Sequence, residues 1–321
     1  MLQKRYENVF PAIMERDKST LEVSVMATLL EILECRYPVI QGPVGALNSP
    51  KFVAAISEAG AFGMLALGFA SAEEAKRLAG EVRQLTNKPF GANLMTMNPA
   101  NFEILEILAS LGVKTVTTSG GSPKGLIPQI HALGMKSLHV LLSLPTAIKA
   151  VQAGTDGVIV SGLESGGLRS RGSESSTMVL VPLVADHVNV PVVAAGGIAD
   201  RRGYRAALAL GAQGVQLGTR LIATEESPAH QVWKEAIINC GDGGTDLLPT
   251  ANMNMRVIPT PKLQSEMKDP TIDLAQIYNL GFVTEAWPKG NFDLFPAGAG
   301  QVAALIKEIK SVKAVIEELV S

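Results

Sequence analysis

Cysteine is scarce in this sequence: only Cys35 and Cys240 occur, far apart and outside any CxxC spacing. That excludes a disulfide framework and a thiolate zinc site, so no metal is expected and a reducing, cytoplasmic setting is the expectation. Long apolar runs are missing too. Stretches such as Val190 to Ala195 have strand length and fall far short of a bilayer span. The first twenty residues carry Lys4, Arg5, Glu7, Glu15, Arg16, Asp17 and Lys18, which break any signal-peptide core. No membrane association is expected. An excess of one charge is also lacking: the formal net charge is -2, and no basic run is interleaved with aromatics. A nucleic acid would find neither the field nor the stacking platform it needs. With 47% of its residues apolar, 18% charged and 5% aromatic, the chain suits an α/β enzyme whose buried strands are rich in Val, Ile, Leu and Ala.

From Tyr37 onward, short β-rich runs alternate with helical patterns, the order expected of parallel strands joined by crossover helices. Eight strands are predicted: Tyr37 to Gln41, Phe62 to Leu67, Pro89 to Leu94, Val113 to Thr118, Lys136 to Leu142, Gly157 to Ser161, Pro191 to Ala195 and Gly214 to Gly218. Helices are expected near residues 50 to 59, 72 to 85, 101 to 110, 124 to 132, 145 to 153, 177 to 187 and 200 to 209. Ser71, Asn98 and Asp200 mark helix starts, while Gly60, Gly112, Gly134, Gly154 and Gly211 each close a helix just before a strand. Eight such units predict an α/β fold, a (β/α)8 TIM barrel. The rival, a doubly wound open sheet, should carry GxGxxG after its first strand. The nearest match, Gly298-Ala299-Gly300-Gln301-Val302-Ala303, comes near the end of the chain and reads as a helix entry.

After residue 220 the pattern becomes loop-rich, with one helical stretch near 228 to 238. The expected division is a cofactor-binding barrel over 1–220, a small inserted cap over 221–290, and a returning C-terminal segment over 291–321. The last part reads as one helix from Gln301 to Val320, with Val302, Leu305, Ile306, Ile309, Val312, Ile316 and Leu319 along one side.

In such a barrel, chemistry gathers at the carboxyl ends of the strands, and a phosphate commonly sits beyond the seventh and eighth. Glycines fall in both places: Gly196 and Gly197 in Ala194-Ala195-Gly196-Gly197-Ile198-Ala199-Asp200, and Gly218 in Gln216-Leu217-Gly218-Thr219-Arg220. Absent side chains let a phosphate approach backbone N–H groups, with the Thr219 hydroxyl as a further donor and Arg220 as added charge. The bland alternative is a pair of tight turns that close the barrel. The pattern points to a phosphate without naming the ligand, and a nucleotide monophosphate or sugar phosphate fits it as well.

Together with Tyr37-Pro38-Val39-Ile40-Gln41-Gly42-Pro43, Ser57-Glu58-Ala59-Gly60, Lys88-Pro89-Phe90-Gly91-Ala92-Asn93-Leu94, Ser119-Gly120-Gly121-Ser122-Pro123, Glu164-Ser165-Gly166-Gly167 and Glu226-Ser227, these segments resemble the nitronate monooxygenases, formerly 2-nitropropane dioxygenases, and the related FMN-dependent enoyl reductases. The resemblance covers nearly the whole chain after residue 25. It implies FMN at the strand ends: Asn93 near the isoalloxazine, Gly42, Pro43 and Val44 along it, and Ser161 and Gly166 beside it. Gly196, Gly197, Gln216, Leu217, Gly218 and Thr219 would hold the phosphate and ribityl chain. The family usually has Met where Val44 stands, a change that keeps an apolar contact.

Where the family typically reads Gly-Gly-His after the sixth strand, this chain has Leu168. Leucine moves no proton, so the usual acid-base role does not carry over. The same loop supplies Glu164, Arg169, Ser170, Arg171 and Glu174, of which Arg169 is the expected clamp for an anionic substrate, with Ser170 beside it. The alternative is a solvated surface loop. Of the four histidines, His139 is the one expected near the barrel mouth, although a core histidine is the commoner outcome for such a position. The implied function is an FMN-dependent oxidoreductase acting on a small-molecule substrate, either a nitronate or, with NAD(P)H as donor, an enoyl thioester or quinone. A non-catalytic flavin-binding protein is the third reading. Oligomeric state is left open, a homodimer included.

Overall fold

A computed structural model describes residues 27–321, so the charged positions counted against a signal peptide lie outside the described residues. Eight parallel strands form one sheet: β1 (Val39–Gln41), β2 (Gly63–Ala66), β3 (Phe90–Met95), β4 (Thr115–Ser119), β5 (Lys136–Leu141), β6 (Gly157–Ser161), β8 (Val192–Ala195) and β9 (Gly214–Leu217). Each falls within about two residues of its expected place. The strand numbered β7 (Gly167–Arg169) belongs elsewhere, so the seventh and eighth barrel strands are β8 and β9. Strand β1 pairs with β9 through Val39 and Val215, and the ring closes at a bridge between Ile40 and Phe62. The fold is therefore a TIM barrel with an insertion.

Strand residues alternate between the two sides of the ring, as a pleated strand requires. Ile40, Met64, Leu138, Ile159 and Val193 meet in the interior, while Val39, Val158, Val160, Ala194, Val215 and Leu217 pack outward against helices. The helix Leu29–Leu33, begun by a capping box between Thr28 and Glu31, closes the amino end with buried Leu29, Ile32 and Leu33. Each such aliphatic side chain is worth about 1.5–3 kcal/mol of burial. Ser71 and Asp200 cap helices Ala72–Leu85 and Arg201–Ala209 as expected. Asn98 instead forms a turn, its amide bridging Ala100 N and Ala70 O. The helix-closing glycines take positive φ, for example 87° at Gly60 and 97° at Gly154, where a side chain would be strained.

The insertion is built on β10 (Asp246–Pro249), β11 (Asn254–Ile258) and the short β12 (Ala297–Gly298), all antiparallel. Strand β7 joins this sheet by pairing with β11, Leu168 opposite Met255. What reads as a loop after the sixth strand is thus an edge strand of the cap, and it carries the barrel mouth into the cap sheet. Trp233 and Trp287, with ring centroids 4.5 Å apart, anchor the cap's own core.

The expected single helix from Gln301 to Val320 is broken. Gln301–Leu305 is a 3₁₀ turn, Ile306 is extended, and the helix proper spans Val312–Val320 from an N-cap at Ser311. Two contacts with the segment that follows β9 outcompete helical continuity there: Lys310 bridges Thr224, and the Glu226 carboxylate accepts from Val312 N at 2.8 Å. The short helix then packs against helices Arg201–Ala209 and Pro50–Glu58, in the place of an eighth barrel helix.

Candidate active site

A cleft of about 760 Å³, counted to its open mouth, lies over the carboxyl ends of β1, β6, β8 and β9 and beneath the cap. Gly42, Pro43 and Val44 enter it from the loop after β1, and Ser161 from the end of β6. Gly166 lies in the bend that leads into β7. Gly196 and Gly197 follow β8, and Gln216, Gly218 and Thr219 end β9, so the two glycine corners share one cavity.

Of the twelve positions expected around the cofactor, only Asn93 and Leu217 do not line the cleft. The Leu217 side chain points outward into the helix layer, while its carbonyl accepts from Gly42 N at 2.7 Å and ties the two loops together. Asn93 is buried inside the ring. Its Nδ2 donates to Thr117 Oγ1 at 2.9 Å, and its Oδ1 accepts from Ser119 at 3.2 Å.

Gly196 and Gly197 take φ of 103° and 73°, a backbone turn that glycine adopts without strain. Gly218 is different: its φ is −107°, and a Cβ built there meets no atom within 4 Å. Its missing side chain leaves space that belongs to the cleft. Among the described residues, the amides of Gly197, Gly218 and Thr219 donate to no backbone acceptor. Thr219 Oγ1 accepts from Gly300 N at 2.9 Å, which leaves the hydroxyl proton for the cleft. The side-chain oxygen of Gln216 is buried in the wall without a hydrogen-bond partner. Such an orphan is costly unless a donor arrives from outside the protein.

Charge in the wall is sparse. Glu164 is the sole titratable side chain lining the cleft among the described residues, and Thr177 occupies its carboxylate through N at 2.8 Å and Oγ1 at 3.0 Å. Arg220 turns away and donates to the carbonyls of Ala223 and Glu308. Arg169 is 1% exposed, and its guanidinium is engaged by Glu174 at 2.6 and 2.9 Å and by Ser161 at 2.9 Å. Its charge is already paired within the protein, so it fixes Ser161 from behind. Ser170 lies outside the wall, where its hydroxyl accepts from Gly172 N and its amide donates to Glu174.

His139 faces the helix layer, because its neighbours Leu138 and Val140 point into the ring. Thr118 Oγ1 meets its Nδ1 at 2.8 Å, and burial pushes its pKa down to about 4. It is a buried, neutral histidine that does not line the cleft. No group of three metal-binding side chains occurs among the described residues, and none of their helices is long and apolar enough to cross a membrane.

Trp233 and Trp287, which carry no sequence signal, close the cleft from the cap side together with Val302 and the Gly298–Gly300 turn, which read in the sequence as a helix entry. A signal was there in the glycines. A Cβ on Gly300 would come within 2.8 Å of the Glu164 carbonyl and 2.9 Å of Gly166 N, so this GxG serves close packing of the cap onto the β6 loop.

The nitronate monooxygenase family profile matches residues 26–111 and 101–321. A nitronate monooxygenase from Pseudomonas aeruginosa is 30% identical, over 90% of this chain and 97% of its own. The structure of FabK from Thermotoga maritima superposes with a TM-score of 0.82 at 35% identity, covering 92% of this chain and 95% of that one. A nitroalkane oxidase from Streptomyces ansochromogenes follows at 0.78 and 25% identity, covering 91% and 96%. On a match that spans almost all the described residues, the chain belongs to the nitronate monooxygenase family of oxidoreductases.

Proposed function

We propose that this protein binds FMN in the cleft and oxidises a small nitronate-type anion. The observation that carries the reading is the junction of two glycine corners with unpartnered amides beside the orphaned oxygen of Gln216. The amides of Gly197, Gly218 and Thr219 and the Thr219 hydroxyl suit a phosphate dianion. Gln216 suits a ribityl hydroxyl, and Gly42, Pro43 and Val44 offer a side-chain-poor edge for a flat ring. Bound there, FMN supplies two-electron redox chemistry that no side chain of the protein provides.

The remaining work falls to the chain's own residues. Arg169 and Ser165 hold the Ser161 hydroxyl, the guanidinium from behind and Ser165 Oγ at 2.9 Å. Ser165 accepts that bond, so its own proton is directed to an anion in the cleft. Leu168 leaves no base at the position where the family carries histidine, and Glu164 is committed to Thr177. The substrate must therefore arrive without a proton to lose, which a nitronate does and a neutral nitroalkane does not.

The test begins with the absorption spectrum of the purified protein. A flavin spectrum, bleached under anaerobic conditions by propane-2-nitronate in the absence of NAD(P)H, supports the proposal. A colourless protein that does not take up added FMN refutes it.

One observation favours a second reading, reduction of an activated double bond or a quinone with NAD(P)H. The one titratable side chain of the cleft wall among the described residues, Glu164, is held by Thr177, and the chain is 35% identical to a solved FabK. Bleaching by NAD(P)H and recovery with an enone or quinone identifies that activity. Full FMN occupancy with no turnover from any donor identifies a binding protein.

A further inference from the structure

The cap turn Gly298–Gln301 sends two consecutive amides to different parts of the barrel. Gly300 N donates to Thr219 Oγ1 at 2.9 Å, and Gln301 N donates to the Glu164 carbonyl at 2.9 Å. Thr219 follows Gly218 in the corner after β9, whereas Glu164 belongs to the loop between β6 and β7. One turn of the cap therefore holds two walls of the cleft together.

The fit is made backbone to backbone. A Cβ on Gly166 would come within 2.8 Å of Gly300 N and 2.9 Å of the Ala299 carbonyl carbon, atoms that cannot swing aside as a side chain can. The buried Arg256 of β11 adds a second grip on the same loop: its Nη2 donates to the Leu163 carbonyl at 3.2 Å, and its own carbonyl accepts from Ala299 N at 3.2 Å. Cap sheet, turn and β6 loop are thus bonded as one unit. That unit touches the other glycine corner as well, since a Cβ on Gly196 would strike Ser165 Oγ. On the far side, the 3₁₀ turn Gln301–Leu305 packs against helices Thr219–Ile222 and Gln231–Ile238.

The Thr219 hydroxyl is the one side-chain group that faces both the turn and the cleft. It is 7% exposed, it accepts from Gly300 N, and among the described residues its proton goes to no acceptor. A hydroxyl carries one proton, which must point away from a donor that its oxygen already accepts. With Gly300 N on one side, that proton is turned toward the cleft that Thr219 lines. An anion that receives it leaves the oxygen richer in electrons and a better acceptor for Gly300 N, because linked hydrogen bonds polarise one another.

We infer that Gly300 is a positioning residue: its amide aims the Thr219 hydroxyl at the anion, and through the same bond a phosphate in the corner fastens the cap onto the barrel. The inference rests on the proposed phosphate site. Because coupling between two sites is reciprocal, a docked cap tightens the cofactor by the factor with which the cofactor tightens the cap. The cap then closes most firmly over a loaded cleft, which shields the reacting centre from water at the stage when shielding matters.

The test is amide hydrogen exchange of the full chain, read by mass spectrometry without ligand, with FMN and with inorganic phosphate. Bound FMN, verified by absorbance, should slow exchange at Gly300 and Gln301 by at least about fivefold, and should leave helix Ala72–Leu85 unchanged. Thr219→Ser keeps the hydroxyl and should keep the response. Thr219→Val keeps the shape without the hydroxyl and should lose the response at FMN concentrations that fill its site through the remaining amides. Unchanged exchange at the turn in wild type carrying FMN, or equal slowing in Thr219→Val, overturns the inference. Slowing by inorganic phosphate in a protein that takes up no FMN leaves the coupling standing and removes the flavin; a turn that responds to neither removes both.

Discussion

Gly218→Ala isolates the cleft from the fold. In the free protein the added methyl has nothing within 4 Å to strike, and φ at −107° asks for no special residue. The stability of the flavin-free protein should therefore stay within about 0.5 kcal/mol of wild type, as for a surface substitution that touches nothing. The same methyl occupies the space through which a phosphate would reach the amides of Gly218 and Thr219. Charge-assisted hydrogen bonds are worth about 1.5–3 kcal/mol each. Weakening both should cost about 2–4 kcal/mol of binding, or about 30- to 1000-fold in Kd. Two measurements settle it: FMN fluorescence quenching titrated with flavin-free protein, and thermal melts with and without FMN. Wild type should melt higher with FMN and the variant should not, because a ligand stabilises only in proportion to its occupancy of the native state. Wild-type affinity in Gly218→Ala, or a loss of stability without FMN that matches the loss of binding, would refute the assignment of this corner to a ligand.

Arg169→Met should destabilise the protein by about 3–5 kcal/mol in denaturant melts, since it strands the nearly buried Glu174 carboxylate without its partner; a change under 1 kcal/mol would mean that the ion pair is dispensable. Acid should weaken the fold through His139. Its native pKa of about 4 lies below the ordinary value of 6.5, so the unfolded chain binds the proton first. The contribution is complete above pH 6.5, falls as pH drops toward 4, and amounts to about 3 kcal/mol; stability measured across that window should flatten in His139→Gln. Leu168→His should raise kcat/KM for nitronates about tenfold or more, within the range of general-base effects; unchanged kinetics with full FMN occupancy would show that the pocket around β7 has diverged further.

The strands and the glycine corners were legible because their signals are local. A parallel strand covered on both faces is a short run of Val, Ile, Leu and Ala, and each helix end before it is stamped by a glycine. Other features had no local signal. The inward or outward choice at His139 depends on register, and with apolar residues on both sides of the strand the pattern cannot tell the faces apart. The pairing of Arg169 with Glu174 looks in sequence like a loop rich in loose charge, and becomes a buried clamp only once β7 docks on β11. The helical spacing from Gln301 to Val320 is real, yet Lys310 and Val312 break it with bonds to Thr224 and Glu226, in the segment after β9.

The amino-acid order by itself determined the eight-strand barrel, the order of its units and the two glycine corners that meet in the cleft, because hydrophobic period and glycine placement act within a dozen residues. Only the tertiary structure decided that the cap contributes Trp233, Trp287 and Gly300 to the cleft and that the Arg169 guanidinium is paired with Glu174. The first joins segments far apart in the chain and the second follows once β7 docks on β11; such contacts are set by packing, which no local pattern encodes.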